Sequence, residues 1–151
     1  MPLNIADLTI SSPDFAALAS IPEELSADGG NRLPRLIVQG VPAGAHELAL
    51  ILHDPDAPLA QGFTHWTVYG IPAADGELDT AAEGVTTGPN GIGTAEYTGP
   101  QPPAGHGQHH YYFTVYALDR PVTGTPTREQ FLAEYADSII EQNRLVGSFF
   151  R

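Results

Sequence analysis

The residues best suited to chemistry are histidines, and three of the chain's six lie in the stretch GPQPPAGHGQHHYYFTVYALD, Gly99 to Asp119. Imidazole groups can bind a metal ion, transfer protons or hold an anion. Because side chains alternate along a strand, His109 and Tyr111 are expected on one face and His110 on the other. His106 lies earlier, between two glycines of the preceding loop. The pattern predicts a pocket into which His109 and Tyr111 direct an imidazole and a phenol.

The loop that precedes this strand is rich in proline and glycine. Gly99, Pro100 and the residues up to Gly107 restrict the backbone, and such a loop can turn its N–H groups towards a ligand. Backbone donors combined with imidazoles suit a small oxyanion. The loop is therefore a candidate part of the same site.

A second candidate is the stretch LALILHDPDAP, residues 48–58, in which an apolar strand ends at two aspartates. Alternation places Asp54 on the same face as Leu48, Leu50 and Leu52. A carboxylate that ends a buried row is costly unless it is paired, so Asp54 is a site candidate that could orient a histidine. The alternative is that Asp54 and Asp56 only form the turn that ends the strand.

The third candidate is His65 in GFTHWTVYGIP, where it precedes the chain's only tryptophan. Strict alternation places His65, Thr67 and Tyr69 on one face, with Trp66 and Val68 on the other. A single histidine in a strand is more often structural than functional. His65 therefore needs partners from elsewhere in the chain to form a site.

Three competing uses of these residues have little support in the sequence. A zinc or copper site could take His65, His109 and His106 with Asp54, but no HExxH motif or equivalent spacing is present. No serine lies in a G-x-S-x-G context, and two carboxylates as close in sequence as Asp54 and Asp56 seldom flank a glycosidic bond. The sequence thus predicts no catalytic residue, metal or cofactor, and it favours a binding protein over an enzyme without deciding the question.

Composition excludes several other functions. The formal charge is −12, all six basic residues are arginines, and lysine and cysteine are absent. Nucleic acids and anionic membranes are therefore poor partners, and Schiff-base, P-loop and thiolate chemistry are excluded. The first residues contain no basic and apolar leader, and no segment approaches the ~18 apolar residues of a membrane span. We expect a cytoplasmic protein with no stable membrane insertion.

Short strands and one helix are the elements that must position these residues. Glycine and proline together make up 30 of 151 residues, and strand-length apolar runs cover residues 35–39, 47–53, 64–71 and 111–118. Near the C-terminus, apolar residues recur at helical spacing, and Thr127 with Gln130 can form a capping box. These apolar residues are Phe131, Leu132, Tyr135, Ile139 and Ile140. The sequence predicts a mainly β single domain over residues 1–151, with one C-terminal helix of about four turns.

Taken together, the motifs resemble the phosphatidylethanolamine-binding protein family, in particular its bacterial and archaeal Raf kinase inhibitor-like members. The matching blocks are DGGN at 28–31, LALILHDPDAP followed by THW, YTGPQPPAGHGQHHYYFTVYALD from Tyr97, and the closing RLVGSFFR. The resemblance implies a large antiparallel Greek-key sheet, a smaller sheet and a C-terminal helix. It also implies a cis proline peptide within residues 54–58.

The same resemblance implies a pocket for phosphate-like or carboxylate anions. The residues that it carries onto this chain are Asp54, Asp56, His65, His109 and Tyr111, and it places the loop from Gly99 to Gly105 at the pocket rim. Together with Gly99, Pro100 and His106, they form the predicted ligand-binding set. His110 stands where many relatives have arginine. The leading hypothesis is a small-anion binding module with a regulatory role. The alternatives are a protein-level inhibitor of a kinase or protease, and a hydrolase that uses Asp54 and His65. A homodimer is also expected from the family.

Overall fold

The computed structural model describes residues 5–150. Its strands are β1 (Thr9–Ser11), β2 (Ile37–Gln39), β3 (Glu47–Asp54), β4 (Phe63–Pro72), β5 (Gly76–Glu77), β6 (Thr86–Thr87), β7 (Gln108–Leu118) and β8 (Ile139–Phe150). One α-helix, α1 (Arg128–Tyr135), lies between β7 and β8. Single turns of 3-10 helix occur at Glu23–Leu25 and Ala136–Ser138.

The strands form two antiparallel sheets. Five strands make the large sheet in the order β6-β4-β3-β7-β8, and three make the small sheet in the order β1-β2-β5. A mainly β fold with a large sheet, a smaller sheet and a helix near the C-terminus was the prediction, and it is confirmed.

The two faces of the large sheet are covered by different layers. Leu50 and Leu52 of β3 pack with Val38 of the small sheet in the main hydrophobic core. On the other face, Ile51 of β3 packs with Phe131 of α1. Because both faces of the sheet are covered, β3 is apolar at five successive positions, 48–52, and not only at alternate ones.

The C-terminal segment differs from the prediction. The Thr127 hydroxyl accepts the Gln130 N–H in the predicted capping box, but α1 ends at Tyr135 after eight residues. Ile139 and Ile140 belong to β8, which pairs with β7 over nearly its whole length. The four-turn helix was therefore wrong, because apolar spacing alone did not reveal that this backbone is hydrogen-bonded by a neighbouring strand.

A glycine within β8 makes room for the main core. Gly147 lies within β8 opposite Tyr111. A Cβ atom there would come within 2.7 Å of Ile21 and 2.8 Å of Phe15, so the absent side chain makes room for two core residues. Phe149, two residues further along β8, is buried in the same core.

The turn at residues 54–58 contains only trans peptide bonds. Within residues 5–150 no peptide bond is cis, so the cis proline expected at residues 54–58 is not present. The Asp54 carboxylate instead accepts the Asp56 N–H at 2.8 Å and closes the turn around a trans peptide. In the same residues, no helix is both long and apolar enough to cross a membrane.

Candidate functional site

A cavity of about 350 Å³ lies where the ends of β3, β4 and β7 meet the Gly-Pro loop. We call it the His109 cavity. Its polar lining consists of His65, Thr98, Gln101, His109 and Tyr111. The remaining lining is Ala57, Pro58, Leu59, Phe63, Ile92, Gly99, Pro102 and Pro103. This set contains no carboxylate, lysine or arginine.

A chain of three side chains runs from the protein interior to this cavity. Asp54 is almost fully buried, and its carboxylate accepts a hydrogen bond from His109 Nδ1 at 2.7 Å. His109 Nε2 lies 3.2 Å from His106 Nδ1, so one of these two nitrogens donates and the other accepts. Asp54 thereby fixes the His109 ring and places its second nitrogen beside the exposed His106.

His65 reaches the cavity because of an irregularity in β4. Leu52 of β3 is paired with Trp66 of β4, and the next residue, His53, is paired with Thr64. His65 therefore has no partner position in β3 and forms a β-bulge. A bulge changes the direction of the side chains that follow it. The His65 ring accordingly lies 5.2 Å from the Tyr111 ring, on the cavity side.

The predicted grouping of His65 with Thr67 and Tyr69 on one face is therefore wrong. The Thr67 hydroxyl donates to the Pro89 carbonyl, and Tyr69 packs beneath α1 on the other face. His65 instead shares a face with Trp66, which belongs to the main core. Strict alternation failed here because it does not allow for one additional residue between paired positions.

The hydrogen bonding of His65 determines its tautomer. Nδ1 lies 2.7 Å from the Thr98 carbonyl oxygen, which only accepts, so Nδ1 carries the proton. Burial lowers the pKa of His65, and the hydrogen bond to Thr98 opposes this only in part. At neutral pH the ring is thus uncharged, and Nε2 has a lone pair.

The Gly-Pro loop is held from beneath by Asn31 of the DGGN segment. The Asn31 side-chain NH₂ donates to the Tyr97 carbonyl at 3.0 Å, while its side-chain oxygen accepts the Gly99 N–H at 2.7 Å. Asn31 itself has a left-handed φ of 56°, which asparagine tolerates better than most residues. A Cβ atom on Gly99 would lie only 2.0 Å from the Leu25 carbonyl oxygen, so only glycine fits.

Pro100 and His106 contribute without lining the cavity. The Pro100 carbonyl accepts the Ala27 N–H at 3.0 Å, which ties the loop to the 3-10 turn that carries Leu25. His106 lies at the cavity mouth through its contact with His109. Both residues therefore hold the site together, and their predicted role as direct ligand contacts stays a prediction.

Asp56 lies outside the cavity, on the protein surface. Its carboxylate accepts hydrogen bonds from the backbone N–H and the Nδ1 of His110, both at 2.8 Å. Partial burial would raise the pKa of Asp56, but the hydrogen bonds from His110 outweigh it and lower that pKa. The two aspartates of the Asp-Pro-Asp turn thus pair with successive histidines on opposite faces of β7.

Of the predicted residues, the structure brings His65, Gly99, His109 and Tyr111 directly around the cavity. It places Asp54 behind them. Sequence reasoning missed Phe63, Thr98, Leu59 and Ile92, which also line it. Phe63 lies two residues before His65, so the alternation of side chains along a strand could have predicted that Phe63 shares the cavity face with His65. Leu59 and Ile92 lie in loops, for which no periodic signal exists.

A metal centre was the main competing use of these histidines. Among residues 5–150, no group of three or more histidine and carboxylate side chains is placed to hold a metal ion. His65 donates to a backbone carbonyl, whereas His109 donates to Asp54, so the two rings are oriented by different partners.

Comparison with known proteins gives a consistent family assignment. The family model described as phosphatidylethanolamine-binding protein matches residues 11–150. LppC of Mycobacterium tuberculosis, a candidate lipoprotein by its name, is 43% identical over 149 residues, which cover 94% of this chain and 72% of LppC.

Two solved structures are similar over nearly their whole length. A protein of Chlamydia trachomatis, described as a homologue of phosphatidylethanolamine-binding protein, superposes with a TM-score of 0.86 at 31% identity and covers 95% of this chain and 97% of its own. Escherichia coli YbcL, described as a member of the mammalian PEBP family, gives a TM-score of 0.87 at 28% identity, covering 95% and 98%. The chain therefore belongs to the phosphatidylethanolamine-binding protein family.

Proposed function

We propose that this protein is a small-anion binding module with a regulatory role, and that the His109 cavity holds a phosphate or carboxylate group. The observation that carries the proposal is the buried Asp54–His109 pair, whose second imidazole nitrogen lies at the cavity beside His106. A carboxylate that is buried to orient a histidine is costly to maintain in a merely structural role.

The electrostatics of the lining support an anion despite the net charge of −12. No carboxylate lines the cavity, so a bound anion is not in direct contact with another negative charge. Fields from surface acids are screened over about 8–10 Å at physiological salt. His65 can take up a proton when an anion binds, because a nearby negative charge raises a histidine pKa.

The rim of the cavity supports a ligand that is more than a bare ion. Leu59 and Ile92 line its mouth and are 60% and 66% exposed. Exposed apolar side chains beside a polar pocket are typical of sites for ligands with an apolar portion. The proposed ligand is therefore a small organic phosphate or carboxylate.

The other functional hypotheses receive less support from the geometry. The hydrolase hypothesis required Asp54 and His65 to act together, but Asp54 hydrogen-bonds to His109, and His65 to Thr98. Inhibition of a kinase or protease, formation of a homodimer and the cytoplasmic location stay predictions.

The test is two-dimensional NMR of the histidine ring protons in chelator-treated full-length protein, titrated with inorganic phosphate and then phosphoethanolamine. We expect saturable shifts at His65 and His109. Affinity should fall as pH rises past about 6.5 if a histidinium supplies the charge. A flat affinity between about pH 5.5 and 8 would remove histidinium from the mechanism.

His109→Gln and His110→Gln form a matched pair of variants. The two residues are neighbours in β7, but His109 is buried at the cavity and His110 is exposed on the other face. We expect phosphate binding to be lost in His109→Gln and kept in His110→Gln. Equal behaviour of the two variants, or no shift in the wild type, would contradict the proposal.

A further inference from the structure

A second cleft, of about 370 Å³, lies on the opposite face of the large sheet, beside α1. We call it the Arg144 cleft. The residues that matter for its chemistry are Ile51, His53, Tyr112, Tyr116, Arg128 and Arg144. Neither the family assignment nor the proposed anion cavity accounts for this group.

Strand register builds the cleft from three neighbouring strands. His53 of β3 is paired with Tyr112 of β7, and Ile51 is paired with Thr114, which in turn faces Arg144 of β8. Tyr112 alternates with Tyr111, so the two tyrosines serve opposite faces of β7. The Arg144 cleft is therefore separated from the His109 cavity by the sheet itself.

The cleft concentrates positive charge in a protein that has little of it. The whole sequence contains six basic residues, and two of them line this cleft. Arg32 and Arg35 are engaged elsewhere by Asp14 and Glu77. One third of the basic residues of the chain therefore lie at this one cleft.

The two guanidinium groups act on the same point of the cleft. Burial raises the pKa of Tyr116, while the positive charges of Arg128 and Arg144 both oppose that rise at its hydroxyl. The Arg144 guanidinium lies 5.1 Å from the centre of the Tyr112 ring, which holds it over the cleft floor. A cation–aromatic contact of this kind restricts the side chain without neutralising it.

Little negative charge balances these two cations. Arg128 contacts Glu129 at 3.0 Å, whereas Arg144 has no ion pair with any of residues 5–150. No aspartate or glutamate is part of the cleft lining. Burial and the charge of Arg128 lower the pKa of His53 to about 4, so His53 is uncharged at neutral pH. The Arg144 guanidinium is thus available for an external anion.

We propose that the Arg144 cleft is a second ligand site, for an organic oxyanion whose phosphate or carboxylate head binds Arg128 and Arg144. The planar guanidinium fork matches both oxyanions. Pro55 and the Tyr112 ring offer an apolar surface for the body of the ligand. The volume lies within the range of small-molecule sites, which is about 300–1,000 Å³, and exceeds what a bare ion needs.

The test uses full-length protein at low ionic strength and follows the arginine Nε–H resonances by NMR during titration with phenyl phosphate, benzoate and inorganic phosphate. We expect saturable shifts at Arg128 and Arg144, with phenyl phosphate binding at least fivefold more tightly than inorganic phosphate because its ring adds apolar contact. Benzoate distinguishes a carboxylate head from a phosphate head. Shifts that grow linearly without saturation for all three probes would overturn the proposal.

Three variants locate the binding. Arg144→Gln should weaken phenyl phosphate binding at least tenfold. Arg35→Gln, which removes an exposed arginine from the segment before β2, should leave it unchanged. His109→Gln should abolish the histidine shifts of the other cavity and leave the arginine shifts intact. Equal weakening by Arg144→Gln and Arg35→Gln, or loss of the arginine shifts in His109→Gln, would refute the second site while leaving the His109 cavity to be judged on its own resonances.

Discussion

The substitution Asp54→Asn tests whether one buried carboxylate holds the His109 cavity together. The Asp54 side chain is 4% exposed and accepts two hydrogen bonds, from His109 Nδ1 at 2.7 Å and from the Asp56 N–H at 2.8 Å. Asparagine keeps the size of the side chain but removes its charge. Only its single carbonyl oxygen can still accept, so one of the two hydrogen bonds is lost or weakened.

The expected cost follows from these contacts. A hydrogen bond to a charged group contributes about 1.5–3 kcal/mol, and a buried donor left without its partner costs about 1–3 kcal/mol. Because asparagine retains one acceptor, we expect the free energy of unfolding to fall by about 2–3 kcal/mol. In a chain of this length, such a change lowers the melting temperature by about 5–10 °C.

Asp56→Asn is the matched control, because it makes the same chemical change two residues away. Asp56 and His110 are 41% and 47% exposed, and exposed ion pairs contribute about 0–1 kcal/mol. Urea unfolding at pH 7 should therefore separate the two variants clearly. Phosphate binding should weaken about tenfold in Asp54→Asn, since His109 loses the acceptor that orients it, and should be unchanged in Asp56→Asn.

Either of two results would refute this reasoning. If Asp54→Asn cost no more stability than Asp56→Asn, the buried pair would not stabilise the fold. If Asp54→Asn bound phosphate like the wild type, the orientation of His109 would not matter to binding.

The remaining predictions concern other parts of the fold. The folded-state pKa of His53, about 4, lies below its ordinary value of 6.5, so its contribution to stability is complete above pH 6.5 and is lost as pH falls towards 4. After allowance for partial exposure this amounts to about 1–2 kcal/mol. Urea unfolding across that range should show a smaller decrease in the free energy of unfolding at low pH for His53→Gln than for the wild type or for the exposed control His46→Gln. An equal decrease in all three proteins would contradict the prediction. Gly99→Ala should lower the free energy of unfolding by about 1–3 kcal/mol through overpacking, and it should weaken phosphate binding. Gly44→Ala, whose Cβ would lie 3.8 Å from its nearest atom, should change neither stability nor binding. Calorimetry and phosphate titration measure the two effects. Thr127→Ala should lower stability by about 1 kcal/mol through loss of the helix cap, and an unchanged melting temperature would show that the cap contributes nothing.

The strands of the large sheet could be predicted because burial imposes a clear pattern on them. The run at residues 47–53 is apolar at each of residues 48–52 because both sheet faces are covered, and β3 extends it by one residue, to Asp54. Proline, glycine and aspartate mark the ends of these strands, and they act locally. Both kinds of signal can be read from neighbouring residues alone.

The errors arose where distant parts of the chain decide the structure. Ile139 and Ile140 fit a helix by spacing, but pairing with β7 places them in β8. Nothing near Asp56 in sequence indicates that its carboxylate will accept hydrogen bonds from His110 at the surface. The apolar rim formed by Leu59 and Ile92 is likewise assembled from two loops that approach each other only in the folded chain.

The bulge at His65 has a consequence for how such a protein can change. Side chains alternate between the two faces of a strand, so one inserted or deleted residue moves every following side chain to the opposite face. Here the extra residue brings His65 to the cavity face while Trp66 keeps its place in the core. A single-codon insertion can thus recruit a new functional side chain from a strand without replacing any residue that already packs there. Length variants at strand ends, and not only substitutions, are a direct route to new chemistry on this sheet.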